Sequence, residues 1–147
     1  MYGSIRWSCT ALIRKATLKD FKSIYEIEKQ FGEDAFSERS MKNLISKTYV
    51  CIDKKIVGYF TIFKYKKTCR IYSIIVDKEQ RGKGYSKIMH SKIVSLSKGM
   101  ERIVLEVYKK NTEAIGLYES LGYEKISVLE DYYGDGKDGI KYELRLK

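Results

Sequence analysis

The sequence predicts a mixed α/β fold, a twisted sheet of about seven strands flanked by about four helices. Three observations carry this. Across Ile71–Ile88, IYSIIVDKEQRGKGYSKI, the apolar period changes from two to 3.6 over a polar turn, the pattern of a strand, a turn and a helix. Periodic segments follow one another as strand, two helices, three strands, helix, strand, helix and two strands, with no internal repeat. The 147 residues are 44% hydrophobic, enough to bury a core, and are expected to form one domain over 1–147.

Residues 1–10 show no period and are expected to be a short extension before a core that starts at about residue 11. Ala11 to Lys15 reads as a first strand. Thr17 with Asp20 forms a capping-box pattern, and Phe21, Ile24, Tyr25, Glu28 and Phe31 then mark one helical stripe with Glu28 as its polar exception. Gly32 ends that helix, and Ser37 caps a second, short one in which Met41, Leu44 and Ile45 face inward. Thr48 to Asp53 and Ile56 to Tyr65 read as a hairpin around Asp53-Lys54-Lys55, and Cys69 to Val76 as the strand before the glycine turn. Tyr85, Ile88, Met89, Ile93 and Leu96 recur at helical spacing, with His90 off the stripe and expected to be exposed and not catalytic. Arg102 to Val107 is another strand. Asn111 opens a helix with Ala114, Leu117, Tyr118 and Leu121 on one face, and Gly122 ends it. Lys125 to Leu129 and Ile140 to Leu146 alternate like strands, separated by a polar, glycine-rich loop, EDYYGDGKDG.

Twenty-nine Lys and Arg against nineteen Asp and Glu give a net charge of +10, which attracts acidic partners: nucleic acid, a ribosome, an anionic membrane or a phosphorylated cofactor. Charge does not choose among these. Cys9, Cys51 and Cys69 are odd in number and unpaired by any C-x-x-C spacing, so neither a zinc site nor a disulfide framework is indicated, and a reducing cytoplasm fits best. No apolar run has membrane-spanning length, and a soluble protein is expected.

The turn Arg81-Gly82-Lys83-Gly84 is a candidate anion site. The first turn of a helix carries unpaired N–H groups and the positive end of the macrodipole, while glycines let backbone approach a ligand closely. Arg81 and Lys83 add charge. Glycines after a strand more often serve only to make the turn, and the G-x-x-x-x-G-K-[ST] phosphate-loop spacing is absent.

With these residues in this order, the chain from about residue 11 resembles the GNAT superfamily of acyl-CoA N-acyltransferases. The resemblance is nearest to RimI-type and archaeal protein N-terminal acetyltransferases. Arg81, Gly84 and Ser86 stand where the family's cofactor motif has R or Q, then x-x-G-x, then G or A, with Ser86 departing from the usual small residue. LEVYKKNTEAIGLYESLGY resembles the L-E-V-x-x-x-N-x-x-A-x-x-L-Y-x-x-x-G-[FY] stretch of the RimI type and supplies Glu106, Asn111 and Tyr118. VLEDYYGDGKDG followed by a strand is similar to the family's tail, in which paired tyrosines, here Tyr132 and Tyr133, line the peptide site.

The resemblance implies acetyl-CoA as co-substrate and an amine as acceptor, most of all the N-terminal α-amino group of a protein, such as a ribosomal protein. It implies Glu106 as base, Tyr118 as acid, and a cofactor site of Ile74, Ile75, Val76, Arg81, Gly82, Lys83, Gly84, Tyr85, Ser86, Lys87, Asn111 and Tyr118. The pantetheine arm would pair with the backbone of Ile74 to Val76 as an added strand. Tyr25, Glu33, Asp34, Tyr132 and Tyr133 would line the acceptor site. No metal, membrane or nucleic acid is required, and a monomer or weak homodimer is expected.

Residue chemistry is compatible with these roles. An attacking amine must be uncharged, and an α-amine with pKa about 8 is neutral roughly a tenth of the time at pH 7, so a modest base suffices. Glu106 ends an otherwise apolar strand whose surroundings would raise its pKa toward the working range; without the resemblance it reads as a surface residue or an ion-pair partner. Tyr118 at its helical spacing reads as core, with a hydroxyl that needs a partner. Asn111 reads as an N-cap in either case. Within the same superfamily, lysine or small-amine acetylation is the alternative. From another class, a basic α/β domain with thirteen tyrosines would be an RNA-binding module, although no RNP-like aromatic pattern is present.

Overall fold

A computed structural model describes residues 11–147, apart from the side chains of Glu33 and Asp34. The extension expected over residues 1–10 lies outside the described residues. Seven strands form one open mixed sheet in the order β1-β2-β3-β4-β5-β7-β6. They are β1 (Leu12–Lys15), β2 (Thr48–Asp53), β3 (Lys55–Tyr65), β4 (Thr68–Val76), β5 (Arg102–Tyr108), β6 (Glu124–Leu129) and β7 (Gly139–Arg145). The four α-helices are α1 (Phe21–Glu28), α2 (Glu38–Leu44), α3 (Tyr85–Leu96) and α4 (Thr112–Ser120). The strand pairs β1–β2, β2–β3, β5–β7 and β6–β7 are antiparallel, and β4–β5 is parallel. Packing divides the residues into two compact units, 11–62 with Ser73–Leu96, and Phe63–Tyr72 with Ser97–Lys147.

The first unit is organised by what α1 buries. Ile24 and Ile27 pack with Ala16, Met41, Ile45, Val50 and Tyr59, so one apolar stripe of α1 and the inner residue of α2 close over the strands. Glu28, the polar exception in that stripe, is buried. Its Oε1 accepts the Tyr59 hydroxyl and its Oε2 accepts the Phe36 N–H at 2.9 Å, so both carboxylate oxygens are used inside the fold. Ser37 caps α2 by accepting the Ser40 N–H at 3.1 Å, as its sequence position predicts.

The entry to α1 is fixed by a carboxylate. Asp20 receives Arg14 through both guanidinium ends at 2.8 Å and the Thr17 N–H at 2.8 Å, which holds it at about pH 2, chiefly through Arg14 and against the cost of its burial. A depressed carboxylate contributes stability that is present above the unfolded value near 4 and is lost as pH falls through the folded value. Asp20→Asn is therefore expected to cost about 2 kcal/mol at pH 7. The difference from wild type should narrow as pH drops from 4 toward 2 in denaturant unfolding. An equal deficit at pH 7 and pH 2 would show that the ion pair is not its source.

In α3, Tyr85, Met89 and Ile93 form the buried stripe, and His90 is buried beside them at 5% exposure. This corrects the exposed position expected for His90: the buried face is wide enough to take the residue next to Met89. Burial holds its imidazole below its ordinary value. In the second unit, Ile103, Leu105 and Val107 of β5 point to one face and are buried with Cys69, Ile71, Tyr118, Tyr123, Ile140 and Tyr142. The helix α4 starts at Asn111, whose side-chain oxygen accepts the Ala114 N–H at 3.1 Å, and closes with the Tyr123 N–H on the Tyr118 carbonyl at 3.0 Å.

Candidate active site

The glycine turn is built from both of its ends. At the strand end, Asp77 Oδ1 accepts the Glu79 N–H at 3.1 Å and the Gln30 side chain at 2.9 Å, while the Gln30 oxygen accepts the Lys78 N–H at 3.0 Å. Arg81 Nε donates to the Val76 carbonyl at 3.2 Å, and Lys83 to Gln80 at 2.9 Å. At the helix end, the Ile88 N–H donates to the Gly84 carbonyl at 3.1 Å, so the N–H groups of Tyr85, Ser86 and Lys87 come before the first intrahelical donor. Gly82 and Gly84 have φ of +81° and +87°, and a Cβ on either would meet nothing within 4 Å. The backbone here is left-handed and its surroundings are open, which suits the approach of a phosphate.

Two residues of the expected cofactor set are engaged differently from that expectation. Tyr85 is buried, and its hydroxyl donates to Asp53 Oδ2 at 2.5 Å, a bond that together with burial pushes its phenol up to about 12. Only its backbone N–H is left for an anion. The Val76 carbonyl is occupied by Arg81. Ile74 and Ile75 are half-buried beyond the β4–β5 ladder, which covers Thr68↔Arg102 to Arg70↔Val104 and ends there. A Cβ at Gly58 on β3 would lie 2.6 Å from the Ile75 carbonyl oxygen, so glycine is required where β3 passes this part of β4. In the same unit, Tyr25 is half-buried and stacks on Phe21 at 5.6 Å, with Lys29 Nζ 5.5 Å from its ring centroid. The side chains of Glu33 and Asp34 lie outside the described residues.

In the second unit, Glu106 sits in a charged environment, not in the apolar one expected for it. Arg70 of β4 donates to Glu106 Oε1 from Nε at 3.0 Å and from Nη2 at 2.8 Å. The same Nη2 lies 3.2 Å from the Tyr132 hydroxyl. The Glu106 side chain is 11% exposed and Arg70 37%. Among the described residues, Glu106 Oε2 takes no partner. Across the β5–β7 ladder, Lys141 is opposite Glu106.

Tyrosines gather beside Arg70 and against one another. The Tyr132 and Tyr133 rings meet edge to face at 4.8 Å, Tyr133 meets Tyr108 at 6.0 Å, and Arg70 lies 5.5 Å from the Tyr72 ring centroid. The loop that carries Tyr132 and Tyr133 is folded on itself: Asp138 Oδ1 accepts the Asp131 N–H at 2.9 Å, Asp131 Oδ1 accepts the Gly136 N–H at 2.8 Å, and the Tyr133 N–H bonds the Lys137 carbonyl at 3.0 Å. At Gly139 a Cβ would come within 3.1 Å of Tyr133 and 3.2 Å of Tyr132, so glycine lets both rings pack over the start of β7. Tyr118 is buried against Tyr123 at 5.4 Å, and burial pushes its phenol up.

The sequence reading had not singled out Arg70, Tyr72 and Tyr108. Their signal was present as period-two alternation: Cys69 and Ile71 are buried while Arg70 and Tyr72 take the opposite face, and Tyr108 lies two residues from Glu106 on β5.

A strand-turn-helix with an open cationic glycine turn, in this strand order, defines an acyl-CoA-dependent acyltransferase class. The model of the acetyltransferase (GNAT) family matches residues 10–123, and the chain belongs to that family of acetyl-CoA-dependent N-acetyltransferases. A Bacillus subtilis (strain 168) protein provisionally named as a ribosomal protein bS18-alanine N-acetyltransferase is 29% identical over 140 residues, 88% of this chain and 92% of that protein. An N-alpha-acetyltransferase of Saccharolobus solfataricus is 39% identical over 71 residues, 46% of this chain and 42% of its own. The fold is shared with the ribosomal-protein-S18-alanine N-acetyltransferase from Escherichia coli (TM-score 0.85, 20% identity, 93% of this chain and 94% of that one). It is also shared with Ard1 from Thermoplasma volcanium (TM-score 0.85, 24% identity, 94% and 99%). Among the described residues, no helix is long and apolar enough to cross a membrane.

Proposed function

We propose that this chain, acting as one domain, transfers an acetyl group from acetyl-CoA to the N-terminal α-amino group of a protein, with Glu106 as base and Tyr118 as acid. The observation that carries this reading is the Glu106 carboxylate, held by Arg70 through one oxygen while its other oxygen has no partner among the described residues. As the new C–N bond forms, Glu106 Oε2 takes the amine proton directly or through a water. Tyr118, kept protonated by its burial, gives its proton to the departing thiolate. The N–H groups of Tyr85, Ser86 and Lys87 and the positive charges of Arg81, Lys83 and Lys87 hold the pyrophosphate. Gly84 gives it room, and Asn111 acts first of all as the cap of α4. The backbone of Ile74 and Ile75 pairs with the pantetheine arm.

Tyr132 and Tyr133 form an aromatic wall for the acceptor peptide, and Tyr25, Glu33 and Asp34 are assigned to acceptor recognition by the family resemblance alone. An aromatic wall of this kind suits a slender free terminus better than a lysine whose backbone continues in both directions. The names of the relatives support a ribosomal protein as acceptor.

Mass spectrometry of peptides incubated with acetyl-CoA tests the acceptor class. Peptides with a free α-amine should be acetylated, and peptides with a blocked α-amine and one internal lysine should not. Tyr133→Ala should raise KM for the peptide several-fold and leave KM for acetyl-CoA nearly unchanged. Equal rates on the two peptide types would assign the chain to lysine or general amine acetylation instead.

A further inference from the structure

From the geometry around Glu106 we infer that Arg70 is a positioning residue for acetyl transfer: it grips one oxygen of the base, leaves the other without a partner among the described residues, and ties the base to the loop of Tyr132 and Tyr133. The inference rests on the reading of Glu106 as base.

Two arginine–carboxylate pairs in this molecule differ in how they use oxygen. Arg14 and Asp20 meet fork to fork: Nη1 bonds Oδ2 and Nη2 bonds Oδ1, each at 2.8 Å, and the Thr17 N–H also bonds Oδ2 at 2.8 Å. Both oxygens are consumed, as befits a pair that fixes a helix entry. Arg70 instead brings Nε and Nη2 to the same oxygen, Oε1, at 3.0 and 2.8 Å. The carboxylate is oriented without being saturated. A pair built only to stabilise would gain from the parallel two-oxygen geometry, which is the stronger arrangement.

The guanidinium also couples the base to the acceptor wall. Nη2 reaches the Tyr132 hydroxyl at 3.2 Å, and the group lies 5.5 Å from the Tyr72 centroid, so one side chain of β4 ties β5 to the loop of Tyr132 and Tyr133. The other groups that bear on Glu106 are the Tyr132 and Tyr133 phenols from the loop, Tyr108 two residues along β5, and Lys141 across the ladder on β7. Lys141 makes no ion pair with Glu106 within 4 Å, which leaves Arg70 as the cation on this carboxylate among the described residues.

The test is the pH profile of kcat/KM on a peptide with a free N-terminus. Arg70→Met should displace the acid limb upward, because the cation that favours an ionised carboxylate is gone. Arg70→Lys, a point charge without the planar fork, should restore the limb while kcat stays reduced. Lys141→Met should leave the limb in place. In parallel, the Glu106 carboxyl is followed by 13C NMR in the enzyme without substrates, with Glu106→Gln providing the assignment; its titration should move upward in Arg70→Met. An unmoved limb and an unmoved carboxyl titration in folded Arg70→Met would overturn the inference, as would a loss of thermal stability as the sole effect. Should Arg70→Met not fold, Arg70→Gln gives the same two readouts. Failure of the underlying reading looks different: Glu106→Gln would retain both turnover and the acid limb.

Discussion

Glu106→Gln is expected to lower kcat for acetyl transfer by roughly 10² to 10⁴-fold, the range for a lost general-base step. CoA affinity should stay at the wild-type level. The substitution is close to isosteric, and the amide oxygen can still accept Arg70 where Oε1 accepts it now. What changes is the second position. Oε2, which can take a proton, becomes an NH₂ group, which can only donate. The protein should therefore fold, keep its ion-pair partner in contact and lose the step. Stopped-flow or steady-state measurement of acetyl transfer across pH 6 to 9 reads this directly. Near-native turnover with the wild-type pH profile would mean that the proton leaves by a route that does not involve Glu106.

The second large effect is expected in cofactor binding. Gly84→Val places a β-branched side chain at φ +87°, a backbone conformation such residues rarely adopt, and fills the open space in front of the first helical N–H groups. Because the new Cβ would meet no protein atom within 4 Å, the fold is expected to absorb the change locally. Binding is not. Losing two charge-assisted hydrogen bonds of about 1.5 kcal/mol each corresponds to an affinity for CoA weaker by on the order of a hundredfold. Calorimetric titration of CoA into the folded variant is the measurement, and an unchanged affinity would remove the turn from the cofactor site.

Most of the architecture was legible because its signals are local. The stripe of α1, the Ser37 and Asn111 caps and the change of period across Asp77–Gly84 each follow from residues within a turn or two of one another. The β2–β3 hairpin shows the limit of that logic. Its turn holds Lys54 at φ +72°, without the glycine or asparagine such a turn favours, and only the apolar alternation on either side revealed it. Side-chain phase was less legible. One position of rotation on α3 separates a buried histidine from an exposed one, whereas Tyr85 was already on the expected stripe and only its bond to Asp53, 32 residues away, was hidden. The glycine-rich segment before β7 reads as structureless, yet Asp131 and Asp138 satisfy its backbone through short Asx-type bonds and give Tyr132 and Tyr133 a defined seat. Glu106 was legible as the lone acid of an apolar strand. Its partner was not, because Arg70 lies 36 residues away and meets it only through the parallel β4–β5 register.

The buried carboxylate of Glu28 bears on how this protein can diverge. One oxygen is held by Tyr59, and the other holds the backbone amide of Phe36, not its side chain, so the far end of the 29–36 segment is anchored by two residues that lie outside it. A main-chain anchor does not depend on which side chain stands at position 36. Substitutions between positions 31 and 35 can then change the side chains that this segment presents while its end remains fixed. The surface of the segment is free to drift for as long as Glu28 and Tyr59 are kept beneath it.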